Sequence, residues 1–111
     1  MRVLFLPEVR QYFSELIETL LDKEYFSFED TAVEYVEELI LDIERTLHLR
    51  VSKPAPPYFE KYGRGMLYAV FPKSRVTQWY VFFTQYYVDG EIIYLVRYIS
   101  NNHMIAKYLF S

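Results

Sequence analysis

Apolar residues first recur along the chain at the spacing of an α-helix. After Val9 they stand at offsets of 3, 4, 7, 8, 11 and 12 residues, which places them on one helical face. Acidic side chains occupy the opposite face. Pro7 suits the first turn of a helix, because the N–H group that proline lacks would have no partner there. We therefore predict an amphipathic helix from Pro7 to about Lys23.

A second apolar stripe of the same period covers residues 32–47, with glutamate and aspartate on the remaining positions. Ser27 and Asp30 precede it at the spacing of a capping box, which marks the start of a helix. Residues 24–28 form the short connection between the two stripes. Because the connection is short, the two helices are expected to form an antiparallel hairpin.

The remaining apolar runs are short and rich in β-branched and aromatic residues, which favours strands. Asp89-Gly90 separates two of these runs and is a strong hairpin signal. Prolines in residues 51–58 exclude a helix and favour an extended connection. Residues 100–103 are expected to interrupt the last strand, and residues 104–111 form a tail without a predicted structure. The predicted strands are residues 1–6, 66–71, 76–88 and 91–99.

The order of these elements, β-α-α-β-β-β, predicts the α+β class. Two successive helices cannot each cross over between parallel strands, so both must bury their apolar faces on one side of a sheet. We predict a helical hairpin packed on a four-stranded, mostly antiparallel sheet. Residues 91–99 are apolar on both strand faces, which predicts an interior and largely buried strand.

Composition limits the class of protein. With 52% hydrophobic residues among 111, the chain can build one core, and residues 1–111 are expected to form a single domain. The absence of cysteine excludes disulfides, thiolate metal sites and a cysteine nucleophile. Residues 3–6 are too short an apolar run for a secretion signal, and no run reaches the roughly 18 residues of a membrane span. We therefore expect a cytoplasmic protein that makes no membrane contact.

Charge divides the chain into two halves. Residues 1–49 carry 4 basic and 12 acidic side chains, a net charge of −8, whereas residues 50–111 carry 8 and 3, a net charge of +5. This asymmetry is typical of a face that meets a polyanion, although acidic surface helices beside neutral strands give the same division. The chain also holds 12 tyrosines and 9 phenylalanines, whose rings suit half-buried strands and wet interfaces alike.

The basic half interleaves cations with tyrosines, a pattern that favours RNA as a ligand. Cations bind phosphates, and exposed rings stack on unpaired bases. Lys61 and Arg64 also have a structural alternative, since they can cap a loop. The side chains expected to bind nucleic acid are Lys61, Arg64, Lys73, Arg75 and Tyr108.

Few catalytic patterns fit this sequence. There is no glycine-rich phosphate loop or serine nucleophile elbow, and two histidines are too few for a typical metal site, so no metal or cofactor is expected. Attack of an RNA 2′-hydroxyl on the adjacent phosphorus needs only a base, an acid and cations. Histidine is the residue type whose unperturbed pKa suits either proton role, and His103 is the only histidine in this half; a lysine, or a tyrosine near a cation, would serve less well. Structurally, Arg97 can instead pair with a helix carboxylate, and His103 can close a turn with Asn101 and Asn102.

Several strings in the second half resemble the RelE/ParE superfamily of bacterial type II toxins. They are the tyrosine-bearing run of residues 66–71, the basic turn Lys73-Ser74-Arg75, Thr77-Gln78-Trp79-Tyr80, and Val96-Arg97-Tyr98-Ile99-Ser100-Asn101-Asn102-His103. The motifs cover about residues 62–108, and the element order resembles the family over nearly the whole chain.

The resemblance implies one of two activities. RelE-like members enter the ribosomal A site and cut mRNA with lysine, arginine and a tyrosine or histidine near the C-terminus, whereas ParE-like members inhibit DNA gyrase. Both are neutralised by a cognate antitoxin protein. The resemblance therefore implies the toxin of a plasmid-stabilising toxin–antitoxin system, expected to be a ribosome-associated, metal-independent mRNA endoribonuclease (an mRNA interferase). The alternatives are a gyrase inhibitor and a non-toxic member that only binds a partner.

In the ribonuclease hypothesis, Arg97 and His103 are the catalytic residues. Arg97 would neutralise the scissile phosphate, and His103 would act as the general acid or base. The four other cations named above and Tyr108 would hold the RNA.

Overall fold

The elements follow the order β-α-α-β-β-β-β-α in a computed structural model, which describes residues 1–23 and 26–110. The predicted α+β class, with a helical pair packed on a sheet, is confirmed. The elements are β1 (Arg2–Phe5), α1 (Pro7–Asp22), α2 (Glu29–Thr46), β2 (Lys53–Pro54), β3 (Leu67–Pro72), β4 (Gln78–Val88), β5 (Glu91–Asn101) and α3 (Asn102–Leu109), with 3₁₀ segments at Leu47–Leu49 and Pro57–Tyr62.

The sheet has five strands in the order β1-β5-β4-β3-β2, so the predicted number of four is wrong. The additional strand is β2, which pairs antiparallel to β3 through Lys53 and Pro54. Proline donates no ladder hydrogen bond and is therefore tolerated at a sheet edge, where β2 lies. Among the strands of the described residues, β1 alone runs parallel to its neighbour, β5, and the other pairs are antiparallel.

The interior position of β5 is confirmed, because it lies between β1 and β4. The hairpin predicted at Asp89-Gly90 is also present: Val88 pairs with Glu91, and both turn residues have positive φ, 51° and 77°. Two positive φ values are the requirement of the type I′ turn that matches the twist of a hairpin.

Both hairpin helices lie near their predicted positions. Helix α1 begins at Pro7 and ends at Asp22. The capping box predicted for α2 is wrong: the N-cap is Phe28, without a side-chain capping bond, and the helix begins at Glu29. Residues 24 and 25 of the predicted connection lie outside the described residues. Among the helices of the described ranges, none is long and apolar enough to cross a membrane.

Helices α1 and α2 cover one face of the sheet, called the helix face here. Their apolar stripes pack on alternate residues of β3, β4 and β5. The spacing of buried apolar residues is therefore helical in α1 and α2 and every second residue in these strands. The buried side chains of this core include Val9, Phe13, Leu16, Val36, Leu39, Ile43, Phe71, Trp79, Val81, Phe83 and Val96.

The opposite face of the sheet, called the second face, has a core of its own under α3 and the 3₁₀ segment Pro57–Tyr62. Two expectations about the C-terminus are therefore corrected. Strand β5 continues to Asn101 instead of breaking at Ser100, and residues 102–109 form a helix, whose Ile105 is buried against the sheet. The second core consists of Phe59, Met66, Tyr68, Tyr80, Phe82 and Ile105.

Candidate nucleic-acid interface

Arg97 is the extra residue of a β-bulge between β4 and β5. Phe82 lies opposite Tyr98, but the next residue, Phe83, lies opposite Val96, so Arg97 has no partner across the ladder. A bulge redirects the side chains around it and is over-represented beside functional sites. The bulge thus interrupts, at Arg97, the alternation of β5 side chains between the two faces of the sheet.

The Arg97 side chain lies on the second face, held between two residues of β4. Its Nε donates a hydrogen bond to the Thr84 hydroxyl at 3.0 Å, and its Nη2 donates to the Tyr86 hydroxyl at 2.7 Å. Gly63 passes close beneath: a β-carbon built on it would stand 2.7 Å from Arg97 Cδ. No carboxylate of the described residues forms an ion pair with Arg97. The guanidinium is therefore oriented by neutral groups and keeps its charge available for a ligand.

Tyrosines and lysines continue from Arg97 across the second face. Tyr62, next to Gly63, stacks on Tyr98 with ring centroids 3.8 Å apart. Lys61 Nζ lies 4.0 Å from the Tyr58 ring centroid, and Tyr58 stacks on Tyr108 at 3.7 Å. We call this surface the tyrosine band; it comprises Tyr58, Lys61, Tyr62, Tyr86, Arg97, Tyr98, Lys107 and Tyr108.

The cations of the band favour the ionised form of neighbouring phenols. Hydrogen bonds with Lys61 and then Tyr108 lower the pKa of Tyr58, while the same Tyr58 contact raises the pKa of Lys61. Hydrogen bonds with Thr84 and then Arg97 lower the pKa of Tyr86. The anionic forms of Tyr58 and Tyr86 are thus stabilised, whereas burial raises the pKa of Tyr98 in the same band. A phosphate is also an anionic oxygen ligand and would be stabilised at the same exposed positions.

The residues predicted to bind nucleic acid do not form a single group. Lys61 and Tyr108 lie in the tyrosine band with Arg97. Arg64 is exposed in the turn that follows Gly63. Lys73 lies at the helix face, with Nζ 5.3 Å from the ring centroid of Tyr35 on α2, and Arg75 is exposed in the turn between β3 and β4.

The string Asn101-Asn102-His103 joins α3 to the start of β4. The Asn101 carboxamide oxygen accepts a hydrogen bond from Met104 N–H and caps α3. The Asn102 side chain accepts from Gln78 N–H at 2.8 Å and donates to Val76 C=O at 3.0 Å. These contacts give the two asparagines an architectural role.

His103 stands in the first turn of α3, where its Nε2 lies 3.1 Å from the Thr77 hydroxyl. Arg97 contacts Thr84 in β4, seven residues after Thr77 along the chain. Seven residues of extended chain span about 23 Å. Strand β5 ends at Asn101, before His103, and the two side chains are not brought to a common phosphate.

Thr84, Tyr86, Gly63 and Tyr58 were missed by sequence reasoning. The Asp89-Gly90 hairpin signal fixes the register near the turn, so the pairing of Thr84 with Leu95 could be predicted from the sequence. The bulge could not be predicted, because Arg97 and its neighbours carry no glycine or other local signature of a bulge.

Two clefts flank β2, and neither is lined by Arg97 or His103. One of about 240 Å³ is lined by residues that include Arg50 and Lys53, and one of about 170 Å³ reaches Gly63. Both are smaller than the roughly 300–1,000 Å³ of typical small-molecule sites. In the described ranges, no three His, Asp or Glu side chains converge as a metal site. The tyrosine band is an open surface, which suits a polymer better than a small molecule.

Comparison of the chain with models of protein families, with curated proteins and with solved structures gives no match. Function is therefore inferred from the contacts of the tyrosine band and from the motif resemblance.

Proposed function

We propose that this protein is a type II toxin that binds single-stranded mRNA across the tyrosine band and cleaves it at a phosphate held by Arg97. One observation carries the proposal: the Arg97 guanidinium is fixed by Thr84 and Tyr86 on an open face, without a carboxylate partner in the described residues. Antitoxin and ribosome are the proposed partners, from the resemblance described above.

The composition of the band supports RNA binding. It combines three cations with five tyrosine rings, and single-stranded nucleic acids are bound by cations along the backbone and rings that stack on bases. The two helices of the opposite layer carry most of the acidic residues of the chain. A polyanion would therefore approach the second face in preference to the helix face.

The hydrogen bonds that orient the Arg97 guanidinium support a role in cleavage. A guanidinium has five N–H donors, and two of the Arg97 nitrogens are already oriented by Thr84 and Tyr86. The remaining donors are free to contact a phosphate, and a cation held before the reaction stabilises the phosphorane charge without reorganisation. His103 and Arg75, near the other end of β4, would contact RNA or ribosome at a distance from that phosphate.

Expression without a partner protein tests the proposal. Induction of the wild-type chain in a bacterium should arrest growth, and primer extension on cellular mRNA should reveal new cleavage sites in translated messages. Replacing Arg97 by Ala should lower the cleavage rate on programmed ribosomes by about 10² to 10³. Arg45→Ala, on the exposed side of α2, is the matched control and should act like the wild type.

The same assay distinguishes the alternatives. Arrest with intact messages and double-strand DNA breaks would indicate gyrase inhibition and overturn the ribonuclease. Normal growth at high soluble expression would overturn any toxin function. Circular dichroism of each variant confirms that a loss of activity is not a loss of folding.

A further inference from the structure

We propose that Tyr86 is the general acid of this cleavage, donating its phenolic proton to the 5′-oxygen that leaves the phosphorus. The inference rests on the proposed ribonuclease function and assigns a residue that the sequence motifs did not point to. It replaces His103 in the proton role, since His103 contacts Thr77, which lies seven residues before Thr84, the nearer of the two residues that bind Arg97.

The geometry around Tyr86 supports this role. Its hydroxyl accepts a hydrogen bond of 2.7 Å from Arg97 Nη2, so a phosphate bound to the same guanidinium would lie beside the phenol. The side chain is 43% exposed, which leaves the hydroxyl accessible to a ligand. Tyr86 and Thr84 project from the same face of β4 and accept hydrogen bonds from two different nitrogens of the Arg97 guanidinium, Nη2 and Nε.

The electrostatics agree with the geometry. The Thr84 and Arg97 contacts lower the pKa of Tyr86, which makes its phenol a stronger acid than free tyrosine. When the proton leaves, the phenolate oxygen keeps its charge-assisted hydrogen bond with Arg97. Arg97 would thus stabilise two developing charges, the phosphorane and the phenolate.

The proposed step balances without a metal or cofactor. The 2′-oxygen forms a bond to phosphorus, and its proton passes to hydroxide from solvent. The bond from phosphorus to the 5′-oxygen breaks, and the leaving oxygen takes the proton of Tyr86. The products are a 2′,3′-cyclic phosphate and a 5′-hydroxyl, and the phenolate regains a proton from water.

A modified substrate identifies an acid role directly. In RNA with a 5′-bridging sulfur at the cleavage site, the leaving thiolate needs no protonation. Single-turnover cleavage of the oxygen substrate on programmed ribosomes should fall about 10² to 10⁴-fold in Tyr86→Phe. Cleavage of the sulfur substrate should be nearly equal for Tyr86→Phe and the wild type. Tyr87→Phe, the neighbouring and 76% exposed tyrosine, is the matched control.

Arg97→Ala provides a second control, because loss of phosphate stabilisation is not rescued by sulfur. If Tyr86→Phe is equally slow on both substrates, Tyr86 only positions Arg97 and the acid role is wrong. If Tyr86→Phe cleaves the oxygen substrate at the wild-type rate, Tyr86 has no role in the reaction. If the wild type cleaves neither substrate, the proposed function itself fails.

The pH profile gives an independent readout. With hydroxide as base and the neutral phenol as acid, the wild-type rate should rise with pH and level off above the pKa of Tyr86. The rate of Tyr86→Phe should continue to rise without that break. A break at the same pH in Tyr86→Phe would assign it to another group.

Discussion

Tyr12, Tyr98 and Tyr86 illustrate how the same residue type serves different roles in one small protein. Burial first, and the neighbouring Tyr35 second, raise the pKa of Tyr12 to about 12, and burial also dominates the rise at Tyr98 to about 12. The pKa of Tyr86 is lowered instead, because its exposed hydroxyl forms hydrogen bonds first with Thr84 and then with the Arg97 guanidinium. At the scale of single residues, environment rather than identity separates structural tyrosines from a candidate proton donor.

The raised pKa of Tyr12 predicts a loss of stability at alkaline pH. Below the unfolded pKa of about 10 the phenol is neutral in both states, and its contribution is fully present. Between about pH 10 and 12 the unfolded chain ionises first, so the free energy of unfolding falls as pH rises. Tyr12→Phe should reduce that fall by about 2 kcal/mol, measured by urea unfolding across this range.

Tyr87→Phe is the control for this measurement, because it removes an exposed phenol from the same sheet. An alkaline fall that is identical in Tyr12→Phe and the wild type would show that Tyr12 is not buried as described.

At the scale of elements, the contacts between the start of α3 and the chain leading into β4 stabilise the second face. The Asn102 side chain satisfies one N–H and one C=O of the chain leading into β4. Ile105 and the stack of Tyr108 on Tyr58 then hold α3 against the sheet. Asn101 and Asn102, which contributed to the family resemblance, therefore stabilise the fold through hydrogen bonds that do not depend on catalysis.

Replacing Asn102 by Ala should cost about 1 to 3 kcal/mol, because the part-buried Gln78 N–H loses its partner, whereas the exposed Val76 C=O can bind water instead. Asn101→Ala should cost about 1 kcal/mol through loss of the cap of α3. His103→Ala, in the exposed first turn, should cost less than either variant. Urea unfolding measures all three, and a cost for His103→Ala above that of Asn102→Ala would reverse this assignment.

Charge is layered across the whole molecule. Acidic side chains concentrate on α1 and α2, and the tyrosine band lies on the opposite face of the sheet. In a chain with a net charge of −3, binding of a polyanion depends on this segregation and not on the total charge.

The layering predicts a face-specific salt dependence of RNA binding. Each phosphate contact removed should reduce the slope of log affinity against log salt by about 0.7 for a single strand. Lys61→Ala and Arg97→Ala should each show this reduction, whereas Arg45→Ala on α2 should leave the slope unchanged. Fluorescence anisotropy with a labelled oligoribonucleotide measures it, and equal slopes for all three variants would contradict binding through the tyrosine band.

The sequence by itself determined the features that depend on near neighbours. The period of apolar residues located α1 and α2, the Asp89-Gly90 turn located the hairpin, and apolar residues on both faces of 91–99 predicted an interior strand. Helical period, turn chemistry and strand alternation are local properties of the chain, so they can be read without knowing what the chain packs against.

Only the tertiary structure decided which side chains contact one another across the sheet. The bulge at Arg97 shifts the register by one residue, and this shift sets Arg97 against Thr84 and Tyr86. Burial of Ile105 on the second face turns an ambiguous tail into a helix and carries His103 away from Arg97. These outcomes depend on packing between residues distant in sequence, where a shift of one residue changes every neighbour.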